Sequence, residues 1–166
     1  LIEDNDMPIN FSVPTGNFGD VYAGYLAKKI GLPVNKFIVA TNQNDILHRA
    51  ISKGRYDVEK VIETISPSMD IQLASNFERL IYDLNNNNDE KTIKAMKDIK
   101  ENGKYLISEE NLNKINNHFL SSSINENEVL NIIKNVYAEF DMILDPHTAI
   151  GYGAFDKVKL EGNNIV

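Results

Sequence analysis

The sequence predicts an α/β fold, in which a parallel sheet of few strands is flanked by helices. Residues 9–13 (INFSV) and 36–41 (KFIVAT) have the composition of buried strands, and the interval between them has helical spacing. Strand, turn, helix and strand within about 33 residues is the size of a βαβ unit, whose two strands pair in parallel. Hydrophobic residues make up 42% of the 166 residues and charged residues 25%, as in an ordinary globular domain.

The first helix is bounded by turn residues on both sides. Pro14 closes the first predicted strand, and residues 14–20 (PTGNFGD) form a glycine-containing turn. Apolar residues then recur at helical spacing until Gly31 and Pro33, which end the helix. The second predicted strand follows and ends at the polar residues 42–44.

The middle of the chain is predicted to be mostly helical. Asp45 stands where it can cap a helix that Gly54 ends, and residues 76–84 place apolar side chains at helical spacing. A further helix covers residues 89–102 and stops at Gly103. Its predicted apolar stripe consists of three residues, namely Ile93, Met96 and Ile99.

Two capping residues begin the next helices. Ser108 is predicted to cap a helix that extends through Phe119. Asn125, with Glu128 three residues later, matches a capping box at the start of a helix that buries Phe140. Both helices belong to the mostly helical middle segment.

The last residues are predicted to return to the sheet. Residues 142–144 form a short strand, and Asp145 followed by Pro146 is the order expected at the start of a helix that ends near Lys157. The final residues, GNNIV, form a turn into a strand. We therefore divide the chain into residues 1–83, a mostly helical segment 84–141 and residues 142–166.

Charge and composition exclude several classes of function. With 17 basic and 24 acidic residues the net charge is −7, and three arginines without a basic cluster argue against a nucleic-acid partner. The chain has no cysteine, which excludes disulfides, thiolate zinc sites and a cysteine nucleophile, and fits a cytoplasmic location. No apolar run approaches the roughly 18 residues of a membrane span. Because Leu1 stands first, we expect a piece of a longer polypeptide.

The turn between the first strand and the first helix is the main candidate site. It contains five consecutive candidate residues, Gly16, Asn17, Phe18, Gly19 and Asp20. The first N–H groups of a helix lack intrahelical partners, so such a turn can bind an oxyanion, and glycines let the backbone approach it. The alternative is a tight turn in which Asp20 caps the helix. From these residues alone the two interpretations are equally supported.

Other polar residues are weaker candidates. Asp145 and His147 could form an acid–base pair, but helix capping explains them more simply. Ser66, Ser68 and Asp70 could belong to a loop on the substrate side, although a turn or a cap is the better default. His48 and His118 do not have the spacing of metal ligands, so no metal site is predicted.

Four blocks of the sequence resemble the threonine synthase family. They are residues 12–34, 37–49, 66–80 and 144–154, and they occur in the family's order. Together they cover almost the whole chain, as a C-terminal portion of such an enzyme. Only residues 84–143 match loosely, as a mostly helical insertion would.

The resemblance implies a pyridoxal-phosphate (PLP) lyase of the tryptophan-synthase-β fold type (fold type II), of which this chain is an incomplete part. Such enzymes convert O-phospho-L-homoserine and water into L-threonine and phosphate. Residues 16–20 match the loop that binds the phosphate of PLP. The Schiff-base lysine belongs to a portion preceding Leu1, so the resemblance implies no catalytic residue here, no activity of the chain alone, and the remainder of the polypeptide as its partner.

Two alternatives remain open. One is another fold-type II PLP lyase, such as a dehydratase or a cysteine synthase, although those usually carry a loop richer in glycine than GNFG. The other is a catalytically silent domain that binds a phosphate-bearing ligand through the same loop. The oligomeric state is not predicted.

Overall fold

A four-stranded, fully parallel sheet forms the centre of the protein. The computed structural model describes residues 7–166. The strands follow the order β5-β2-β1-β6 across the sheet. In chain order they are β1 (Ile9–Pro14), β2 (Val34–Thr41), β5 (Phe119–Ser123) and β6 (Asn163–Ile165). A separate antiparallel pair is formed by β3 (Arg55–Asp57) and β4 (Lys104–Leu106).

Helices cover both faces of the main sheet. In chain order they are α1 (Gly19–Lys29), α2 (Ile46–Lys53), α3 (Phe77–Leu84), α4 (Asp89–Asn102), α5 (Glu109–Asn116), α6 (Glu126–Phe140) and α7 (Pro146–Val158). A short 3-10 turn occupies Pro67–Met69. Within residues 7–166 no helix is both long and apolar enough to cross a membrane.

The alternation of side chains along β2 divides the core into two clusters. Phe37 and Val39 point into a cluster built with α1 to α5, whereas Ile38 and Ala40 belong to a cluster built with α6 and α7. A strand that is buried on both faces is typical of a parallel sheet between two helical layers. The predicted α/β class and the parallel pairing of β1 with β2 are confirmed.

Most predictions that depended on local signals are confirmed, although Asp45 occupies the N-cap position of α2 without a side-chain capping hydrogen bond. Asn125 and Glu128 form the predicted capping box of α6, since each side chain accepts a hydrogen bond from the other's backbone N–H. Gly54 and Gly103 end their helices in the left-handed conformation. The C-terminal residues form β6, which pairs with β1.

The region around Phe119 differs from the prediction. Ser108 caps α5 as predicted, but α5 ends at Asn116 and Phe119 is the first residue of β5. Phe119 lies four residues after Ile115, so helical spacing continued past the true end of the helix. The strand pairs in parallel with β2, and this long-range pairing has no local signal in the sequence.

Three predictions about apolar residues were wrong. Residues 142–144 form no strand, and Ile143 is 78% exposed. Phe140 is 58% exposed at the end of α6. On α4 the predicted stripe is wrong only in part: Ile99 is buried and Met96 packs against the core, but Ile93 is exposed, and Thr92 and Ala95 are buried instead. Apolar spacing alone does not show which side of an element has a neighbour.

Candidate functional site

The loop between β1 and α1 lies at the carboxyl edge of the parallel sheet, where open α/β sheets bind ligands. The Thr15 N–H donates to the Ala40 carbonyl at 2.8 Å, which ties the loop to β2. Phe18 precedes α1 with φ of 67° and is buried. Its ring contacts Phe77 at 5.3 Å and Phe119 at 5.7 Å between centroids, so the core fixes the conformation of the loop.

The backbone N–H groups at the start of α1 have no protein acceptor. The helix has no side-chain cap, and the N–H of Tyr22 donates to the Phe18 carbonyl at 3.1 Å. In the part of the chain that the structure describes, the amides of residues 16–21 make no hydrogen bond. Unpaired amides at the positive end of a helix dipole are suited to an anion.

The two glycines of the loop are packed against other segments. A Cβ on Gly16 would lie 2.8 Å from the Ser68 carbonyl oxygen and 3.4 Å from the Cα of Met69. A Cβ on Gly19 would lie 3.3 Å from the Asn76 side-chain nitrogen. Gly16 therefore has no room for a side chain, because the neighbouring atoms are backbone. Gly19 has slightly more room, because its neighbour is the end of a flexible side chain. A close approach of this kind is what a backbone phosphate site requires.

The side chain of Asn17 is oriented by a neighbouring segment. Its Oδ1 accepts hydrogen bonds from the N–H of Ser75 at 3.2 Å and from its hydroxyl at 3.3 Å. The Asn17 carbonyl accepts from the N–H of Asn76 at 3.2 Å. With its oxygen engaged by protein, Asn17 keeps its Nδ2 as the donor for a ligand.

The alternative interpretation of the loop, in which Asp20 caps α1, is wrong. The N-cap position is occupied by Phe18, and Asp20 is an exposed residue of the first helical turn without a capping hydrogen bond. Its carboxylate contributes a negative charge near the open amides but does not block them.

The segment beside Gly16 is held by a buried polar network. Asn42 Nδ2 donates to Asp70 Oδ1 at 2.7 Å and to Ser66 Oγ at 3.0 Å. Asp70 Oδ1 also accepts from Asn44 Nδ2 at 3.0 Å, and its Oδ2 accepts from the Thr64 N–H at 2.7 Å. Ser66 and Asp70, which sequence reasoning placed in a turn or a substrate-side loop, thus fix this segment to the turn after β2.

Asp145 caps α7, as the simpler of the two interpretations predicted, and also contacts the ring of His147. Asp145 Oδ1 accepts from the N–H groups of His147 at 2.9 Å and Thr148 at 3.3 Å, which confirms the cap of α7. The hydrogen bond from the Thr148 hydroxyl and these backbone bonds lower the pKa of Asp145 to about 2. His147 Nδ1 lies 3.1 Å from Asp145 Oδ1, and its Nε2 lies 2.7 Å from Ser68 Oγ. Sequence reasoning missed the last contact because it joins residues 79 positions apart.

The other two histidines have structural surroundings. His48 Nδ1 lies 3.0 Å from Ser121 Oγ, and burial lowers the pKa of His48. Burial also lowers the pKa of His118, whose ring packs against Tyr25. Within residues 7–166 no group of three His, Cys, Asp or Glu residues could hold a metal ion.

The larger clefts lie away from the loop. Four clefts of about 390–490 Å³ are lined by residues of α1, α3, α4, α5, β3, β4 and β5 and of the turns between them, and residues 15–20 line none of the four. The loop therefore forms one wall of a site rather than an enclosed cavity.

Comparison with known proteins agrees with the fold. A threonine synthase of Pseudomonas aeruginosa is 45% identical over 146 residues, which cover 88% of this chain and 31% of that protein. A solved structure of PLP-bound threonine synthase from Brucella melitensis has a TM-score of 0.94 at 40% identity, over 99% of this chain and 36% of that one. The chain belongs to the threonine synthase family.

The chain spans about a third of the length of the threonine synthases that it matches. Maize serine racemase, at 13% identity and a TM-score of 0.55, shares the fold alone. No family model matches the sequence. The resemblance predicted from the four sequence blocks is confirmed.

Proposed function

We propose that this chain is the part of a PLP-dependent threonine synthase that binds the phosphate of the cofactor. The observation that carries the proposal is the run of unpaired amides over residues 16–21 at the start of α1. The Brucella melitensis relative, which is PLP-bound, supports the choice of anion. Gly16, Phe18, Gly19 and Asp20 contribute backbone N–H groups, and Asn17 adds its Nδ2.

When bound, PLP supplies an electron sink for converting O-phospho-L-homoserine and water into L-threonine and phosphate. In this proposal the residues of this chain bind the phosphate of PLP and orient the cofactor. The buried Phe18 holds the amides in one direction, and the backbone of Ser68 packs against Gly16. We assign the Schiff-base lysine to no residue of this chain, so we expect residues 1–166 alone to form no threonine.

In this proposal residues 1–83 carry the phosphate loop, residues 84–141 are a mostly helical addition and residues 142–166 complete the sheet. The remainder of the enzyme is the partner of this chain and supplies the nucleophile. The absence of cysteine fits a cytoplasmic enzyme.

The two loop glycines give a matched test. Gly16→Ala places a methyl group against the backbone of Ser68 and Met69, whereas Gly19→Ala meets only the end of the Asn76 side chain. Titration of PLP, followed by absorbance, should show binding weakened about tenfold or more by Gly16→Ala and about twofold by Gly19→Ala. Circular dichroism of both variants controls for folding.

Pyridoxal without the phosphate is the matched ligand and should bind far more weakly. Equal affinity for PLP in the unsubstituted chain and a folded Gly16→Ala variant would contradict the assignment of the loop. Formation of threonine from O-phospho-L-homoserine by residues 1–166 would contradict the expected inactivity.

A further inference from the structure

A serine, a histidine and an aspartate are aligned at the carboxyl edge of the sheet. Ser68 Oγ lies 2.7 Å from His147 Nε2, and His147 Nδ1 lies 3.1 Å from Asp145 Oδ1. This is the connectivity by which a carboxylate orients an imidazole that exchanges a proton with a hydroxyl. The hydrogen bonds to Asp145 from α7 fix the carboxylate at one end of the line.

The three residues border the proposed cofactor loop without being part of it. The carbonyl of Ser68 packs over Gly16, so the hydroxyl of Ser68 belongs to the same edge as the open amides. Ser68 is exposed, and the side chain of His147 is 36% exposed. The hydroxyl of Ser68 and the ring of His147 therefore lie at an accessible surface and not in the core.

The charge of Asp145 sets the direction of the hydrogen bonds between Ser68, His147 and Asp145. Because the pKa of Asp145 is about 2, its carboxylate is ionised near neutral pH and accepts the Nδ1–H of His147. In the neutral ring Nε2 then accepts the hydroxyl hydrogen of Ser68. When the ring carries a second proton, Nε2–H donates to Ser68 Oγ, and the Ser68 hydrogen is free to point towards a ligand.

We propose that Ser68 and His147 donate a proton to the phosphate group that leaves the substrate, with Asp145 as the positioning residue. This inference rests on the proposed function, but it concerns a second phosphate position beside the cofactor loop. The Ser68 O–H bond breaks as an oxygen of the departing phosphate gains the proton. The step starts from the ring with hydrogen on both nitrogens: the Nε2–H bond of His147 breaks as Ser68 Oγ regains a proton, and the ring becomes neutral with its remaining hydrogen on Nδ1 towards Asp145.

The test is an NMR titration of the ¹⁵N-labelled 166-residue chain, because inorganic phosphate is the group that the proposed reaction releases. PLP is added first, and the amides of residues 16–21 should shift until the loop is saturated. Inorganic phosphate is then added to the PLP-loaded chain. We expect Ser68 and the ring nitrogens of His147 to shift with one shared midpoint.

Variants separate the roles. Ser68→Ala should raise the phosphate midpoint about tenfold, which is the effect of one hydrogen bond to a charged group, and Ser68→Thr should restore it. Ser52→Ala, an exposed serine of α2, is the matched control and should change nothing. Asp145→Ala removes the oxygen that accepts the Nδ1–H, so part of the ring hydrogen should move from Nδ1 to Nε2 in the ¹⁵N spectrum.

The outcomes distinguish the two proposals. If PLP shifts the loop amides but phosphate then leaves Ser68 and His147 unchanged, the second phosphate position is refuted and the cofactor loop stands. If the ring nitrogens of His147 shift in Ser68→Ala with the same phosphate midpoint as in the unsubstituted chain, the donor role of Ser68 is refuted. If PLP leaves the loop amides unshifted, the proposed function itself fails.

Discussion

Helices α1 and α7 begin at the same edge of the same sheet, but their N-termini are built differently. At α7, Asp145 accepts the N–H groups of His147 and Thr148. At α1, Phe18 occupies the N-cap position, offers no side-chain oxygen and leaves the first amides without a protein acceptor. A side-chain cap contributes about 0.5–2 kcal/mol to stability.

The difference indicates that the two helices have different roles: α7 stabilises the sheet, whereas the start of α1 leaves its donors unpaired. Helix α7 is complete by itself and supports the sheet through contacts with β1, β2 and β5. Helix α1 forgoes capping by a side chain, and the buried ring of Phe18 holds its start in place instead. The corresponding donors of α1 have no protein acceptor, as the proposed oxyanion site requires.

The largest effect should come from removing the anchor of α1. Phe18→Ala deletes a buried ring and leaves a residue with a Cβ at positive φ, so unfolding free energy should fall by about 3–5 kcal/mol in urea titrations. Inorganic phosphate added without PLP should shift the loop amides of the unsubstituted chain but not those of Phe18→Ala. Phe11→Ala, at a partly buried ring of the same cluster, is the control and should leave phosphate binding intact. Wild-type phosphate affinity in Phe18→Ala would show that the anchor is not needed.

A pair of aspartates compares the two helix starts directly. Asp145→Ala should lower the unfolding free energy by about 1 kcal/mol, since α7 loses its cap. Asp20→Ala removes only a charge from the first turn of α1, so stability should change by less than about 0.5 kcal/mol. Affinity for phosphate should rise about twofold to fivefold in Asp20→Ala as repulsion is lost. Equal losses of stability in the two variants would contradict the contrast.

The smallest effect lies at the opposite end of α1. Asp83 Oδ1 accepts from Lys29 Nζ at 2.6 Å and its Oδ2 from the Tyr25 hydroxyl at 2.5 Å. Burial raises the pKa of Asp83, but these hydrogen bonds outweigh burial and leave the pKa below its usual value. A lowered folded-state pKa gives stability that is present above the unfolded value of about 3.9 and lost as pH falls through the folded value.

The measurement is the unfolding free energy of the chain and of Asp83→Asn between pH 7 and pH 3. The difference should be about 0.5 kcal/mol and constant down to about pH 5, and should shrink below pH 4. Phosphate binding should be the same in both proteins, because Asp83, a residue of α3, contacts the C-terminal part of α1 and not the loop. A difference that grows on acidification would have the wrong sign for this contact.

Much of the fold could be predicted because its signals are local. Asn125 and Asp145 are followed closely by the groups that they cap, and Gly54 and Gly103 stand where their helices stop. The parallel pairing of β1 and β2 follows from the length of the crossover. Strand β5 could not be found in this way, because its pairing with β2 joins distant residues.

The site was predictable only in part for the same reason. The glycines and the helix start after β1 are adjacent in sequence, so the loop could be singled out. Neither the side chain of Asp70, which holds the segment over Gly16, nor the contact of Ser68 with His147 has a signal at short range. The exposed Ile143 likewise shows that an apolar run forms a strand only where another strand lies beside it.

The position of Phe18 has a consequence for the order of events during folding. Its ring enters the core between Phe77 and Phe119, which come from distant parts of the chain, and the direction of the neighbouring amides depends on that ring. The loop can take up its receptive shape only after α3 and β5 have docked. During synthesis the proposed coenzyme site could therefore not form before β5, about a hundred residues after the loop itself, has been made.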